Sequence, residues 1–175
     1  MLVYLEMLPD DSDKAKLEQV YLRYRGLMFH AASRILNNSA DAEDAVHQSF
    51  ISIAKHIHKI SSPVCTKTQS FVVTIVEHKA IDIYRRKSKQ RVIPLEDETA
   101  GLPVDTEAVQ LSPLAAAISR LPARYRQFIL LKYHCGYSNQ EVADMLGLSY
   151  EGAHSLDQRA KKKLRELLEK EGVML

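Results

Sequence analysis

The chain has 175 residues, of which 46% are hydrophobic and 26% are charged, and its formal net charge is +2. This length suits one domain or two small ones, and the apolar content suffices for a folded core, which excludes disorder throughout. A net charge this small does not indicate nucleic-acid binding by itself, so the positions of the charges must decide. Apolar residues recur at helical spacing nearly everywhere, which predicts an almost entirely α-helical protein.

The sequence indicates neither a targeting or membrane segment nor a metal site. The first eight residues are apolar but include Glu6 and lack a basic leader and a cleavage site, so we expect no signal peptide. No later run approaches the roughly 20 apolar residues that a membrane helix needs. Cys65 and Cys135 are far apart in sequence and show neither metal-ligand spacing nor a disulfide framework. This is typical of ordinary thiols in a reducing compartment. We therefore expect a cytoplasmic protein without metal or cofactor.

Two amphipathic helices are predicted in the first half of the chain. The first covers residues 14–36, and its apolar stripe consists of Leu17, Val20, Tyr21, Tyr24, Leu27, Met28, Ala31, Ala32 and Ile35. The second begins with Ser39 as its N-cap and buries Ala42, Ala45, Val46, Ser49, Phe50, Ile53 and Ile57. Its first turns carry Asp41, Glu43 and Asp44 near the positive end of the helix dipole. This acidic cluster either only stabilises the helix start or also marks a surface for a partner.

A loop and a third helix with a basic end are predicted next. Residues 61–70 include Pro63 and many hydroxyls and predict a loop. Residues 71–84 predict a helix whose apolar residues are Phe71, Ile75, Val76, Ala80, Ile81 and Ile83. Directly after it comes a basic run of Arg85, Arg86, Lys87, Lys89 and Arg91. Such a run either neutralises phosphates, which makes binding salt-sensitive, or is simply a solvated helix end.

The composition changes at residues 92–112, which predict a flexible acidic linker. Proline and glycine interrupt this segment, and its carboxylates are Glu96, Asp97, Glu98, Asp105 and Glu107. Few apolar residues are present to dock it, so we expect loosely coupled halves and a first proteolytic cut within the linker.

The second half predicts a small helical domain that ends in a helix-turn-helix. Pro113 and Pro122 can each open a helix, and the second of these runs through Tyr125, Phe128, Ile129, Leu131 and Tyr133 to supply a core. Ser138 and Glu141 can form a capping box, Gly147 can end that helix, and Ser149 can cap the next. The last helix places Ala153, Leu156, Ala160, Leu164 and Leu167 on one face and polar or cationic residues elsewhere. This pattern is typical of DNA-binding proteins, although helical hairpins also occur in proteins that never touch DNA.

Three segments together resemble the extracytoplasmic-function (ECF) branch of bacterial RNA polymerase sigma factors. "DAEDAVHQSF" is similar to that family's polymerase-binding helix and "TIVEHKAIDIYRRK" to its promoter-melting helix. "LPARYRQFILLKYHCGYSNQEVADMLGLS" followed by "RAKKKL" is similar to its second DNA-binding domain. The resemblance implies an all-α fold with a region 2-like domain at residues 10–91, a linker at 92–112 and a region 4-like helix-turn-helix domain at 113–175.

The same resemblance implies a function and partners. It implies a non-enzymatic protein that binds core RNA polymerase and directs promoter-specific transcription initiation. The DNA partners would be double-stranded promoter DNA and the melted non-template strand, and an anti-sigma factor is a further candidate partner.

The resemblance also implies roles for individual residues. Those implied to bind polymerase are Asp41, Glu43, Asp44, His47 and Gln48, with Phe50 in the core behind them. Those implied to bind the minus-10 element are Ser61, Thr66 and Lys67 of the loop and His78, Lys79, Asp82, Arg85 and Arg86 of the helix. Those implied to bind the minus-35 element are His154, Ser155, Gln158, Arg159, Lys161 and Lys162.

Two positions in the last helix depart from the family's pattern. Asp157 stands where the family usually has a buried aliphatic residue, and Leu156 stands where it often has arginine. These departures predict a slight rotation of the helix or a weaker positive field around it.

Two other functions compete with this interpretation. One is a helix-turn-helix transcriptional regulator with an amino-terminal sensing or partner-binding domain, and the acidic helix and basic run of the first half argue against it. The other is a metal-dependent enzyme that uses His47, His56, His58, Cys65 and His78, but the sequence has no HExxH or paired CxxC motif.

Overall fold

The first four helices belong to one compact unit and the last four to another in the computed structural model, which describes residues 2–90 and 112–170. The first unit contains α1 (Leu2–Leu5), α2 (Asp11–Ser33), α3 (Ser39–Lys55) and α4 (Thr66–Gln90), with a 3₁₀ turn at Ile57–Lys59. The second contains α5 (Pro113–Ser119), α6 (Ala123–Ile129), α7 (Asn139–Leu146) and α8 (Tyr150–Lys170), with a π turn at Leu130–His134 between α6 and α7. The all-α prediction is therefore confirmed over the two described ranges.

Some predicted features lie outside the described residues. They are Arg91, residues 92–111 of the linker with all five of its carboxylates, and the proteolytic cut expected there. Of the predicted linker only Ser112 is described, and its Oγ accepts a hydrogen bond from the backbone N–H of Ala115 at 3.2 Å. Ser112 therefore caps α5. No helix in the two described ranges combines the length and the apolar character needed to cross a membrane.

The core of the first unit lies where α2, α3 and α4 pack against one another. All seven residues predicted to face inward from α3 and the turn after it are buried. In α4 the predicted apolar residues are buried as well, except that Ile81 is half-buried. The burial predicted for Leu27 is wrong, because Leu27 lies at the edge of the α2 stripe and is 38% exposed.

The end of α2 and the start of α3 differ from the predictions. α2 ends at Ser33 rather than at residue 36, and backbone turns carry the chain on to Leu36. The cap of α3 is Asn38 rather than Ser39, since the Asn38 side chain accepts a hydrogen bond from the backbone N–H of Asp41 at 3.1 Å. Both residue types are good N-caps, so local sequence does not choose between neighbours.

α4 begins earlier and ends later than predicted. Thr66 and Lys67, which were expected in a loop, lie in its first turn, and Arg85, Arg86 and Lys87 lie on the helix rather than after it. Cys65 explains the early start, because its carbonyl accepts from the N–H of Gln69 at 2.9 Å and its Sγ accepts from the N–H of Thr68 at 3.4 Å. The first bond is the first regular one of the helix, and the second satisfies the otherwise free N–H of Thr68.

α1 is an element that the sequence analysis missed. Its Tyr4 is 7% exposed, and Leu8 just beyond the helix is 9% exposed. The Tyr4 ring lies 5.6 Å from that of Phe50 and 6.3 Å from that of Tyr21, measured between centroids. The first unit therefore begins before residue 10. The i, i+4 spacing of Tyr4 and Leu8 is the signal that predicts such packing.

The second unit forms the predicted helix-turn-helix. In the capping box, the Ser138 Oγ accepts from the N–H of Glu141 at 3.3 Å, and the Glu141 carboxylate accepts from the N–H of Ser138 at 2.9 Å. Gly147 ends α7 in the left-handed conformation, with φ of 62°. The Ser149 Oγ accepts from the N–H of Gly152 at 3.0 Å and so caps α8.

Tyr133 is a second wrong prediction, since it was expected in the core but is 50% exposed. The cause is the π turn, in which the N–H of Cys135 donates to the carbonyl of Leu130 at 2.9 Å, five residues back. Because a π turn holds more residues than an α-helical turn, the 3.6-residue spacing does not predict which side chains point inward beyond its start. Tyr133 therefore points to the surface.

Candidate functional site

The acidic turn of α3 lies on the surface of the first unit, and its carboxylates have different partners. Asp41 binds the Lys87 Nζ of α4 through both oxygens, at 2.5 and 2.6 Å. Glu43 accepts from the Arg25 Nη2 of α2 at 3.1 and 3.2 Å. Asp44 accepts only from the neutral Gln48 amide, at 2.8 Å, among the residues that the structure describes. Asp44 is therefore the exposed carboxylate of this turn that forms no ion pair among the described residues.

His47 lies one turn further along α3, beside α1. The Tyr4 hydroxyl and the His47 Nδ1 are 2.6 Å apart and share a hydrogen bond. Burial, and then the charge of Tyr21, raise the pKa of Tyr4 above its usual value. The rest of α3 behaves as predicted, since Phe50 is fully buried and His47 is exposed. α1 therefore contributes to the surface around His47.

The minus-10 candidates near the start of α4 are split between a turn and the helix. Ser61 is exposed in the turn before α4, whereas Thr66 and Lys67 are exposed in its first helical turn. The Thr68 hydroxyl donates to the carbonyl of Ser62 at 2.7 Å, which ties the turn to the helix. Hydrogen bonds from the side chain and backbone of Thr68 lower the pKa of Cys65.

A shallow groove lies along α4, and we call it the α4 groove. It is lined by Gln48 of α3 and by Lys79, Asp82, Arg85 and Arg86 of α4. His78 does not face solvent, because it is 8% exposed, and its Nε2 lies 3.2 Å from a carboxylate oxygen of Asp82. Burial raises the pKa of Asp82, but His78, Lys79 and Arg85 together outweigh it and leave that pKa below its usual value. The groove thus offers exposed guanidinium groups beside an ionised carboxylate that His78 holds.

All six minus-35 candidates are exposed on α8, on the side away from the buried Ala153, Leu156 and Ala160. The Arg159 Nε donates to the carbonyl of Ser155 at 3.3 Å, and no ion pair involves Arg159 within the described ranges. Tyr150 was not singled out from the sequence, but it is the first residue of α8 and is 51% exposed. Residues at the start of the second helix of such a motif contact base edges, so its place after the Ser149 cap was the available signal.

Asp157 is held in a cluster that links α8 to the π turn, and we call it the Asp157 cluster. Asp157 is 3% exposed and accepts from the Lys132 Nζ at 2.5 Å and from the Tyr133 hydroxyl at 2.9 Å. The Lys161 Nζ lies 3.5 Å from the same carboxylate and 5.1 Å from the centroid of the Tyr133 ring. Of the predicted apolar face of α8, Ala153, Leu156 and Ala160 are nevertheless buried, and Leu164 and Leu167 are half-buried. Asp157 is therefore accommodated by its partners rather than by exposure.

The ionisation of Asp157 follows from these partners. Burial raises its pKa, but hydrogen bonds from Lys132 and Tyr133 and the charges of Lys132 and Lys161 outweigh burial, so the pKa lies below its usual value. A lowered pKa in the folded state contributes stability above the unfolded pKa of about 3.9, and this stability is lost as pH falls through the folded pKa.

We therefore expect the stability difference between the protein and an Asp157→Asn variant to be largest above about pH 5 and to shrink toward pH 3. Amide hydrogen exchange of α8, followed by NMR over this pH range, measures the difference. Asp144→Asn is the matched control, because Asp144 is an exposed carboxylate of α7 in the same unit. A difference for Asp157→Asn that stays constant with pH contradicts the expectation.

Comparison with known proteins gives matches over both units. Two protein-family models match the chain, "Sigma-70 region 2" over residues 20–90 and "Sigma-70, region 4" over residues 111–164. The first match includes α3 and the α4 groove, and the second includes the exposed candidates of α8.

Individual proteins also resemble the chain. RNA polymerase sigma factor SigZ of Bacillus subtilis is 30% identical over 141 residues, which is 78% of each chain. ECF RNA polymerase sigma factor SigM of Mycobacterium tuberculosis is 28% identical over 159 residues, which is 89% of this chain and 79% of that protein. A solved structure of sigma factor RpoE in complex with anti-sigma factor NepR from Bartonella quintana is 20% identical, with a TM-score of 0.43, and covers 87% of this chain and 96% of that one.

Proposed function

The chain belongs to the extracytoplasmic-function branch of the sigma-70 family of RNA polymerase sigma factors, and on this premise we propose which surface performs each step of initiation. As a sigma factor it binds core RNA polymerase and directs promoter-specific transcription initiation. The observation that carries this conclusion is the match to region 2 followed by the match to region 4 in one chain. A regulator with an unrelated sensing domain is not favoured, since the first half matches region 2.

Sigma factors are transcription initiation factors, and we propose that this one contributes no catalytic group of its own. We propose the domain division 10–91, 92–112 and 113–175, with the first domain extended to include α1. Burial of Tyr4 and Leu8 against the first unit supports the extension. An anti-sigma factor remains a candidate partner.

For polymerase binding we propose the exposed face of α3 that carries Glu43, Asp44, His47 and Gln48. A negative charge at a helix start that is not neutralised internally suits a basic partner surface, and Asp44 has such a charge. Asp41 has another role in this proposal, because its ion pair with Lys87 joins α3 to α4.

For the minus-10 element we propose the α4 groove together with Ser61, Thr66 and Lys67. Exposed arginines can hold the phosphates of an unpaired strand, and a carboxylate such as that of Asp82 can accept a hydrogen bond from a cytosine amino group. His78 acts through Asp82 in this proposal, since it is buried and lies 3.2 Å from the carboxylate.

Arg86 and Lys87 provide a direct test of the groove. Arg86→Ala should reduce the salt dependence of holoenzyme binding to a minus-10 non-template oligonucleotide by a slope of about 0.7, the value for one single-strand phosphate. Lys87→Ala should reduce it less, because the Lys87 ammonium is already paired with Asp41 at 2.5 Å. Titrations at several salt concentrations measure both slopes. Equal reductions would contradict the proposed division between the two residues.

For the minus-35 element we propose the exposed face of α8. Base contacts are assigned to His154, Ser155, Gln158 and Arg159, and a phosphate contact is assigned to Lys162. Lys161 differs from these residues, because its ammonium already faces Asp157.

Transcription in a purified system tests the function as a whole. The protein is added to core RNA polymerase that contains no sigma factor, on a promoter library in which the minus-35 and minus-10 positions are randomised. We expect run-off transcripts from a subset of templates that share a two-part element, and none from core polymerase alone. Failure both to bind core and to yield transcripts would contradict the proposal.

A further inference from the structure

The Asp157 cluster engages one of the lysines on the exposed face of α8. Asp157 lies on α8, the helix proposed to enter the major groove, but its side chain is only 4% exposed. Lys132 and Tyr133, two of its partners, come from the π turn and approach it from the neighbouring segment at 2.5 and 2.9 Å. A buried carboxylate needs such partners, because it cannot keep its water.

Lys161 is the partner that points outward. It follows Asp157 by one helical turn, and its side chain is 48% exposed. Its ammonium has two attractive neighbours, the Asp157 carboxylate at 3.5 Å and the Tyr133 ring at 5.1 Å from its centroid. A cation over a tyrosine ring and beside a carboxylate is held by both.

The three consecutive lysines of α8 are therefore not equivalent. Lys163 pairs with Glu166 at 3.3 Å, whereas no ion pair involves Lys162 among residues 112–170. A phosphate that binds the Lys161 ammonium competes with the Asp157 carboxylate for it, whereas a phosphate that binds Lys162 competes with no carboxylate among the described residues.

We propose that Asp157 is a positioning residue that keeps Lys161 within the protein, so that α8 binds the minus-35 element with one phosphate contact fewer than its lysines would allow. Phosphate contacts strengthen binding to every sequence alike, whereas base contacts distinguish sequences. By withholding Lys161, Asp157 lowers the affinity of the domain for non-promoter DNA and makes recognition depend more on base contacts. This inference rests on the proposed role of α8.

Salt titrations of the holoenzyme test the inference, with a minus-35 duplex and a non-promoter duplex as probes. Asp157→Asn should free Lys161 and steepen the dependence of log affinity on log salt by about 0.9, the value for one phosphate. Affinity for the non-promoter duplex should rise, so that the preference for the minus-35 duplex falls. Asp144→Asn removes the same charge from an exposed position on α7 and should leave the slope unchanged.

Two further variants decide between this role and a merely structural one. Lys161→Ala, with Asp157 in place, should change the slope little, and the double variant Asp157→Asn/Lys161→Ala should return to the parent slope. If Lys161→Ala alone lowers the slope by about 0.9, Lys161 already contacts a phosphate and the inference is overturned. The Lys161→Ala variant decides the question even if Asp157→Asn fails to fold. In Lys161→Ala the Asp157 carboxylate keeps its hydrogen bonds from Lys132 and Tyr133, so the fold is expected to persist. Failure of the parent holoenzyme to prefer the minus-35 duplex would overturn the proposed function of α8 instead.

Discussion

Replacing Asp44 with lysine is expected to weaken binding of the protein to core RNA polymerase by at least about tenfold, which corresponds to about 1.4 kcal/mol. Asp44 is exposed on α3, and its described partner is the neutral amide of Gln48. A lysine there would place a positive charge against a surface proposed to be basic, and like charges across an interface cost several kcal/mol.

The fold should survive this change. The favourable interaction of an exposed carboxylate with the start of a helix is only about 0.3 to 1 kcal/mol, so helicity should stay within about 10% of the parent value. Asp41 is left unchanged, because a lysine at that position would face Lys87 and disturb the packing of α3 on α4.

Equilibrium binding to fluorescently labelled core polymerase measures the effect, and circular dichroism measures helicity. Glu18→Lys is the matched control, since it reverses the same charge on the exposed face of α2. Unchanged affinity in Asp44→Lys, or an equal loss in both variants, would mean that α3 is not the polymerase-binding helix.

Replacing Arg159 with alanine should weaken binding to the preferred minus-35 duplex by about 1 to 3 kcal/mol and flatten discrimination at one or two base pairs. Arginine can donate two parallel hydrogen bonds to the O6 and N7 of guanine. The Arg159 side chain is available for this contact, because it is exposed and no ion pair within the described residues holds it. The two acidic residues near it in sequence, Asp157 and Glu166, are engaged by lysines.

Two matched variants separate base reading from simple charge. Arg159→Lys keeps the charge but not the planar pair of donors, so it should lose discrimination like the alanine variant. Lys162→Ala should lower affinity for all sequences alike and reduce the salt slope by about one. Competition binding against a panel of single-base minus-35 variants measures each ranking. If Arg159→Ala keeps the parent ranking, the element is read by His154, Ser155 and Gln158 or through DNA shape.

The sequence predicted those features that depend on neighbouring residues. The capping box of Ser138 and Glu141, the left-handed Gly147 and the Ser149 cap each depend on a few adjacent positions, and all are present in the structure. The inward face of α8 follows from helical spacing, and its predicted residues Ala153, Leu156 and Ala160 are buried, whereas Leu164 and Leu167 are half-buried. For the same reason the exposed candidates of α8 were found together on one surface.

What the sequence did not predict depends on contacts between distant segments or on an irregular turn. The ion pair of Asp41 with Lys87 forms only because α3 packs on α4, and no local pattern specifies it. The contact of Tyr4 with His47 likewise requires α1 to fold back onto α3. The helical start at Thr66 was missed because Ser and Thr hydroxyls usually favour loops. In this structure the Thr68 hydroxyl instead donates a hydrogen bond to the Ser62 carbonyl, which ties the preceding turn to α4.

The π turn at Leu130–His134 has a consequence for insertions and deletions in the gene. A π turn holds one residue more than an α-helical turn does, so loss of one codon in this segment would leave a sequence able to continue as an ordinary α-helix. Side chains beyond the deletion would rotate by about 100° around the helix axis. Lys132 and Tyr133 would then no longer both reach Asp157, whose buried charge would lose its partners. The length of this segment and the residue at position 157 are therefore expected to change together during evolution.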